Sequence, residues 1–173
     1  MEKLHLGKHE KIDQQGGIIP YGYMNNIAFD NVLLLGDAAG QVKATTGGGI
    51  VMLLIASKYA ARGIRKCFDL NCFSKKFIKR HYEKPCNAEI GKQLKIHYAL
   101  RKAFENFTNN DFENLFQIAK THKIEQIISL YGDMDFPKSL MFKLLKNLEI
   151  IKFLIRFIRK RPLLFLKLIK NVI

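Results

Sequence analysis

The stretch LLLGDAAGQVKATTGGGI, residues 33–50, decides how the rest of this 173-residue chain is read. Together with Val32 it opens on a continuous apolar run ending at Leu35, the pattern of a strand covered on both faces of a sheet. The run stops at Gly36-Asp37, which predicts a carboxylate at the C-terminal edge of a sheet, where open α/β folds bind ligands. Gly47, Gly48 and Gly49 then lead into IVMLLIASKYAARGIRKCF, whose small and apolar residues predict a well-buried helix. Arg62, Arg65 and Lys66 suit the negative end of its dipole. With no Cβ in the way, backbone N–H groups at the start of that helix can approach a planar or anionic ligand closely.

Joined, these two devices suit a flavin. Asp37 would accept hydrogen bonds from the ribityl hydroxyls, and Gly48, Gly49 and Ile50 would meet the polar edge of the isoalloxazine. The positive end of the helix would favour the charge that the ring carries when reduced. Taken singly, a Gly-Asp after a strand is an ordinary turn and a triple glycine is a flexible loop; their spacing gives them meaning together. The complete string resembles the second flavin-contacting motif of the FAD enzyme group that includes aromatic hydroxylases and geranylgeranyl reductases. Aromatic hydroxylases usually carry a histidine after Gly-Asp-Ala-Ala and a proline before the glycine run. Here Gly40 and Ala44-Thr45-Thr46 take those places, a pattern similar to the archaeal digeranylgeranylglycerophospholipid reductase family. GGIIPYGY (16–23) and YGDMDFPK (131–138) also resemble segments of that family.

The resemblance implies an α/β protein, here an α+β fragment. Residues 1–66 would be the C-terminal piece of an FAD-binding Rossmann-like domain, and 67–173 a helical C-terminal domain with a basic amphipathic tail. It implies an enzyme that uses reduced FAD to hydrogenate the trisubstituted double bonds of geranylgeranyl chains in membrane ether lipids. Residue by residue, Asp37, Gly48, Gly49 and Ile50 carry over as FAD contacts, and no catalytic side chain is named, because the hydride leaves the flavin. The family's N-terminal strand, glycine turn and helix, which hold the ADP pyrophosphate, have no counterpart: GxGxxG is absent, and so is any tryptophan. The chain is accordingly expected to bind FAD poorly alone and to start near the end of the substrate domain, as an internal start, a split gene product or a truncated sequence, with a partner chain as one source of the N-terminal half. The resemblance names no electron donor. A hydroxylase of a soluble aromatic, or a non-enzymatic basic module binding membrane or nucleic acid, are the alternative readings.

The remaining composition bears on the setting. Twenty-nine Lys and Arg against 15 Asp and Glu give a net charge of +14, which draws the protein toward polyanions or an anionic membrane. Cys67, Cys72 and Cys86 form no CxxC pair, so neither a disulfide framework nor a zinc site is expected; His5 and His9 read as surface residues. GGIIP reads as a short strand, and helices are expected around 73–83, 87–107, 111–121 and 123–131, with Asn110 and Glu113 as one start signal. Between Lys138 and Ile173 ten cations and one acid, Glu149, alternate with Leu, Ile and Phe, and Pro162 should split this tail in two. Such a tail suits the cytoplasmic, inner face of the cell membrane, met peripherally, since no uninterrupted apolar run reaches spanning length. Nucleic acid is not expected as a partner, because the phenylalanines fall at core-like helical spacing.

Overall fold

Small residues at helical spacing set the packing. α1 (Ile50–Asp69) turns Met52, Ala56, Ala60, Gly63 and Cys67 inward, positions that recur every three or four residues and so share one face. The computed structural model describes residues 16–121, 124–164 and 166, so His5, His9 and the end of the basic tail lie outside the described residues. Against the small stripe of α1 lies a second helical run in close approach: a Cβ on Gly63 would stand 3.1 Å from the Tyr82 Cβ.

That second run is made of α2 (Lys75–Ile78), α3 (Lys84–Cys86) and α4 (Lys92–Phe104), joined by π-helical turns at Lys79–Glu83 and Asn87–Gly91. Ser74 caps its start, accepting the Phe77 N–H at 3.4 Å. The expected separate helices at 73–83 and 87–107 are therefore one continuous helical path from 75 to 104. Pro85 accounts for the turn before it: the residue offers no N–H and its ring crowds the carbonyl four residues back, so a wider i→i+5 turn at Lys79–Glu83 takes up the misfit.

The sheet is smaller than the apolar run Val32–Leu35 suggests. β1 (Ala28–Phe29) and β2 (Val32–Leu33) pair antiparallel, with Ala28 opposite Leu33 and Phe29 opposite Val32. Asn31, at φ +60, makes the tight turn between them, a conformation that asparagine tolerates well. The tip is tied down by the Lys75 N–H on Asp30 Oδ1 (2.6 Å) and the Asn31 N–H on the Phe73 carbonyl (2.9 Å). Two strand expectations need correction. Val32 is 49% exposed, because double-sided burial requires further strands and a covering layer that the described residues do not supply. Gly16–Pro20 is irregular, with Ile18 exposed.

A buried carboxylate joins sheet to helices. Glu83 Oε2 accepts the N–H groups of Ile27 (2.9 Å) and Ala28 (3.1 Å), while Oε1 pairs with Lys79 at 3.2 Å. Tyr82 donates its hydroxyl to the Leu34 carbonyl at 2.5 Å. Around them Ile27, Ala39, Met52, Ile78, Cys86 and Ile90 close the main core.

The second half is helical throughout: α5 (Asn109–Thr121), α6 (Ile124–Tyr131), α7 (Lys138–Leu144) and α8 (Leu148–Lys160). α5 starts from a reciprocal cap at Thr108 and Asp111 instead of Asn110 and Glu113. Asp111 Oδ2 accepts the Thr108 N–H (2.9 Å) and hydroxyl (2.8 Å), and Thr108 Oγ1 accepts the Asp111 N–H (3.2 Å). Phe107 packs against Phe112, Phe153 and Phe157 with ring centroids 4.8–5.6 Å apart, fastening α5 to α8. Arg161 closes this small core from the far end, bonding Asp111 Oδ2 at 2.9 Å and lying over the Phe157 ring. The tail breaks at Pro162 as expected and once more before it, since Asn147 caps a new helix by accepting the Glu149 and Ile150 N–H groups. α8 then ends at Lys160, just ahead of the proline. The described chain is thus mostly helical with one two-stranded sheet, and no helix in it is long and apolar enough to cross a membrane.

Replacing Glu83 by alanine strands two buried backbone donors and leaves the solvent-accessible Lys79 without its carboxylate. We expect Glu83→Ala to cost about 2–4 kcal/mol in urea unfolding, and Glu83→Gln, which keeps an acceptor, clearly less.

Candidate functional site

Beyond Leu35 the chain must turn sharply, and glycine makes this possible: Gly36 and Gly40 stand at φ +64 and +63 on either side of the 3-10 turn Gly36–Ala39. Gln41 organises the turn from inside. Its side-chain oxygen accepts the Gly36 N–H at 2.8 Å, and its own N–H returns to the Gly36 carbonyl at 3.0 Å. Its amide nitrogen reaches the Tyr82 hydroxyl at 3.4 Å, and burial pushes the Tyr82 phenol up to about 12. The turn is pressed against residues 22–24, so that a Cβ on Gly40 would come within 2.1 Å of the Gly22 carbonyl oxygen. Asp37 emerges from this turn exposed to solvent.

A second closed loop brings the glycine run back to it. The Lys43 N–H bonds the Gly48 carbonyl (3.0 Å), the Gly47 N–H bonds the Lys43 carbonyl (2.8 Å), and Gly47 takes φ +72. The Gly48 N–H is turned to Thr46 Oγ1 at 3.3 Å. Gly49 consequently stands beside Asp37: a Cβ there would lie 3.5 Å from Asp37 Oδ1. α1 starts at the next residue with no side-chain cap and no acid in its first turn, so its first N–H groups and its positive dipole end are not answered by a side chain. The Ile50 side chain is 77% exposed on the same rim. Asp37, Gly49 and Ile50 are thus brought together, with Gly48 one residue behind and its amide engaged within the loop. A carboxylate acceptor beside an open helix start can receive a hydroxyl donor and a neighbouring electron-rich edge at once.

The underside of this loop holds residues that sequence reading missed. Lys43 pairs with Asp135 at 2.5 Å, 92 positions away, and Thr45 Oγ1 meets His97 Nδ1 at 2.7 Å. Asp133 Oδ1 accepts the Asp135 and Phe136 N–H groups, which fixes where Asp135 points. The signal available was YGDMDFPK itself, an Asx-turn motif whose partner across the chain no local pattern reveals. His97 is buried, and neither its Nε2 nor Gln93 Oε1, one turn earlier on α4, has a partner among the described residues. Burial holds the His97 imidazole below the usual histidine range, and the Lys43 ammonium pushes the same way against the opposing pull of Asp135. No group of three or more His, Cys, Asp or Glu that could hold a metal occurs among the described residues.

Two outcomes are expected. Gly40→Ala should destabilise the chain by more than about 2 kcal/mol in thermal or urea unfolding, since a positive φ and a backbone collision coincide there. A folded-state histidine pKa below the unfolded one means that the unfolded chain binds the proton more readily. The His97 contribution is therefore full above about pH 6.5 and lost as pH falls below it. Unfolding midpoints measured between about pH 7 and 5 should decline, and His97→Gln should flatten the decline.

No family model and no solved structure matches the chain. It is 31% identical over 78% of its length to an uncharacterized protein of Methanocaldococcus jannaschii, covering 34% of that protein. It is 29% identical over 79% of its length to a digeranylgeranylglycerophospholipid reductase 1 of Methanosphaera stadtmanae, covering 34% of it. A digeranylgeranylglycerophospholipid reductase 2 of Methanopyrus kandleri is 30% identical over 85% of the chain, with 33% of the relative covered. The chain spans about a third of the length of the curated relatives it matches.

Proposed function

We propose that this chain is the C-terminal portion of an FAD-dependent reductase that saturates isoprenoid double bonds of membrane ether lipids. Similarity to proteins named digeranylgeranylglycerophospholipid reductases supports the reaction class. The observation that carries the cofactor reading is the meeting of Asp37 with Gly49 at the uncapped start of α1. The residues present fit a flavin: a cradle that a Cβ on Gly49 would narrow, a carboxylate beside it, and an apolar side chain, Ile50, on the rim. Asp37 would accept from the ribityl hydroxyls. The Gly49 and Ile50 amides, backed by the dipole of the 20-residue α1, would face the pyrimidine edge and favour negative charge there. FAD, when bound and reduced, supplies the hydride for the double bond. Lys43 and Thr45 act from beneath, holding the glycine loop through Asp135 and His97.

An apolar face supports the idea that the rest of the flavin domain docks from outside, on a partner chain or a preceding segment. Val32, Ile50, Leu54, Ile64 and Phe68 are all exposed, and an apolar depression of about 230 Å3 opens among Val32, Ile64, Phe68 and Phe73. An exposed apolar face of this kind suits a protein neighbour better than water. A lipid substrate further places the protein at the cytoplasmic face of a bilayer, approached peripherally.

The test is a flavin titration by fluorescence and absorbance, on this chain alone and mixed with a polypeptide supplying the remaining two thirds of a relative. We expect weak binding alone and tight binding on mixing, reduced at least about tenfold by Asp37→Ala. Gly49→Ala should weaken flavin binding while leaving the unfolding midpoint unchanged, because Gly49 has φ −124 and a Cβ there meets protein atoms only at ordinary contact distance. Flavin affinity indifferent to both substitutions would overturn the assignment.

A further inference from the structure

We propose that the outer face of α8 is a docking surface for a bilayer rich in anionic phospholipid. The helix divides its residues cleanly. Ile150, Phe153 and Phe157 are buried, with Phe153 and Phe157 packed on Phe107, so three of the eight apolar side chains of α8 belong to the protein core. Leu148, Lys152, Ile155, Arg156, Arg159 and Lys160 are all exposed. Their spacing of four, three, one, three and one lines them up along the opposite face. Beyond Pro162, Leu163 and Leu166 are exposed as well.

Three cations of this stripe are uncommitted. Lys152 pairs with Glu149 at 2.6 Å, and Arg161 is turned inward to Asp111, but Arg156, Arg159 and Lys160 form no ion pair among the described residues. A shallow depression of about 350 Å3 lies among Lys152, Ile155, Arg156, Arg159 and Lys160, so four of the five residues that border it carry a positive charge. The 13-residue helix cannot span a membrane, but it has the make-up of one that lies in the interface, with cations toward phosphate and aliphatic side chains toward the acyl boundary.

The composition of the stripe selects the occupant. Aliphatic Leu148 and Ile155 sit in the same row as the cations, and the row has no aromatic residue on which a base could stack, which favours lipid over nucleic acid. The exposed face of α1 offers the contrast: apolar Ile50, Leu54, Ile64 and Phe68 there are suited to another protein surface. The inference shares the bilayer setting of the proposed reaction, but its test involves neither flavin nor catalysis. Failure of one therefore leaves the other standing.

Flotation of the full chain with vesicles of phosphatidylcholine, alone or mixed with phosphatidylglycerol, decides the matter. We expect binding to the phosphatidylglycerol vesicles, weakened by salt. Arg156→Glu/Arg159→Glu/Lys160→Glu should lower the partition at least about tenfold, and Leu148→Ser/Ile155→Ser about threefold. All five residues are exposed, and circular dichroism with an unchanged unfolding midpoint verifies that each variant folds; Arg156→Gln/Arg159→Gln should show an intermediate loss. Vesicle binding unaffected by the charge reversals, or no binding to phosphatidylglycerol vesicles, overturns the proposal. So does tighter binding to duplex DNA than to those vesicles that the same charge reversals abolish, which would make the face a nucleic-acid surface.

Discussion

Glu83 is a carboxylate taken out of water and surrounded by three donors, and the rest of the molecule is arranged around it. An isolated buried carboxylate is prohibitively costly, so its partners must be held at hydrogen-bond distance by whatever structure surrounds it. The N–H groups of Ile27 and Ala28 come from the start of β1, and Lys79 comes from the same π-helical turn as Glu83 itself. Tyr82, the neighbouring residue, reaches the next strand at Leu34 and touches Gln41. One wide turn of helix thus determines where both strands and the Gly36 turn sit.

From that anchor the site is held by successive layers of hydrogen bonds. Gln41 fixes the first turn from the core, and the hydrogen bonds between Lys43, Gly47 and Gly48 close the second. Asp135 and His97 brace the loop from below, using two parts of the helical region far apart in sequence. What reaches the surface is the junction between them, Asp37 beside Gly49. The chemistry displayed there depends on a polar network whose members lie as many as 92 positions apart.

How far the sequence could be read follows from these distances. Gly36, Asp37 and the glycine run are neighbours in sequence, so turn chemistry and helix-start rules apply to them directly. Helices such as α5 and α6 announce themselves by their period. Lys43 with Asp135, Thr45 with His97, and Glu83 with Ile27 carry no local signature, because each is an ordinary polar residue until the fold supplies its partner. The run Val32–Leu35 misleads for a different reason: its apolar character describes surroundings that the described residues supply on one side only, as the exposure of Val32 shows. In the tail, amphipathic patterning announced helix but neither the break at Asn147 nor the division of the apolar residues of α8 between core and surface. The Phe107 ring makes that division.

The π-helical turns on either side of Pro85 have one more consequence. Ile78, Tyr82, Cys86, Ile90 and Leu94 are buried at a strict interval of four. In an ideal α-helix each such step overshoots a full turn by about 40°, so after four steps Leu94 would point roughly opposite to Ile78. Two wide turns, each absorbing an extra residue, cancel most of this drift and keep all five side chains on one line. The helix works as a vernier, in which a scale ruled in fours is brought into coincidence with one ruled in 3.6 by two small slips. An apolar tetrad repeat with a proline at its centre is therefore a signature of such slips, where a strict period of 3.6 would report two helices and a break.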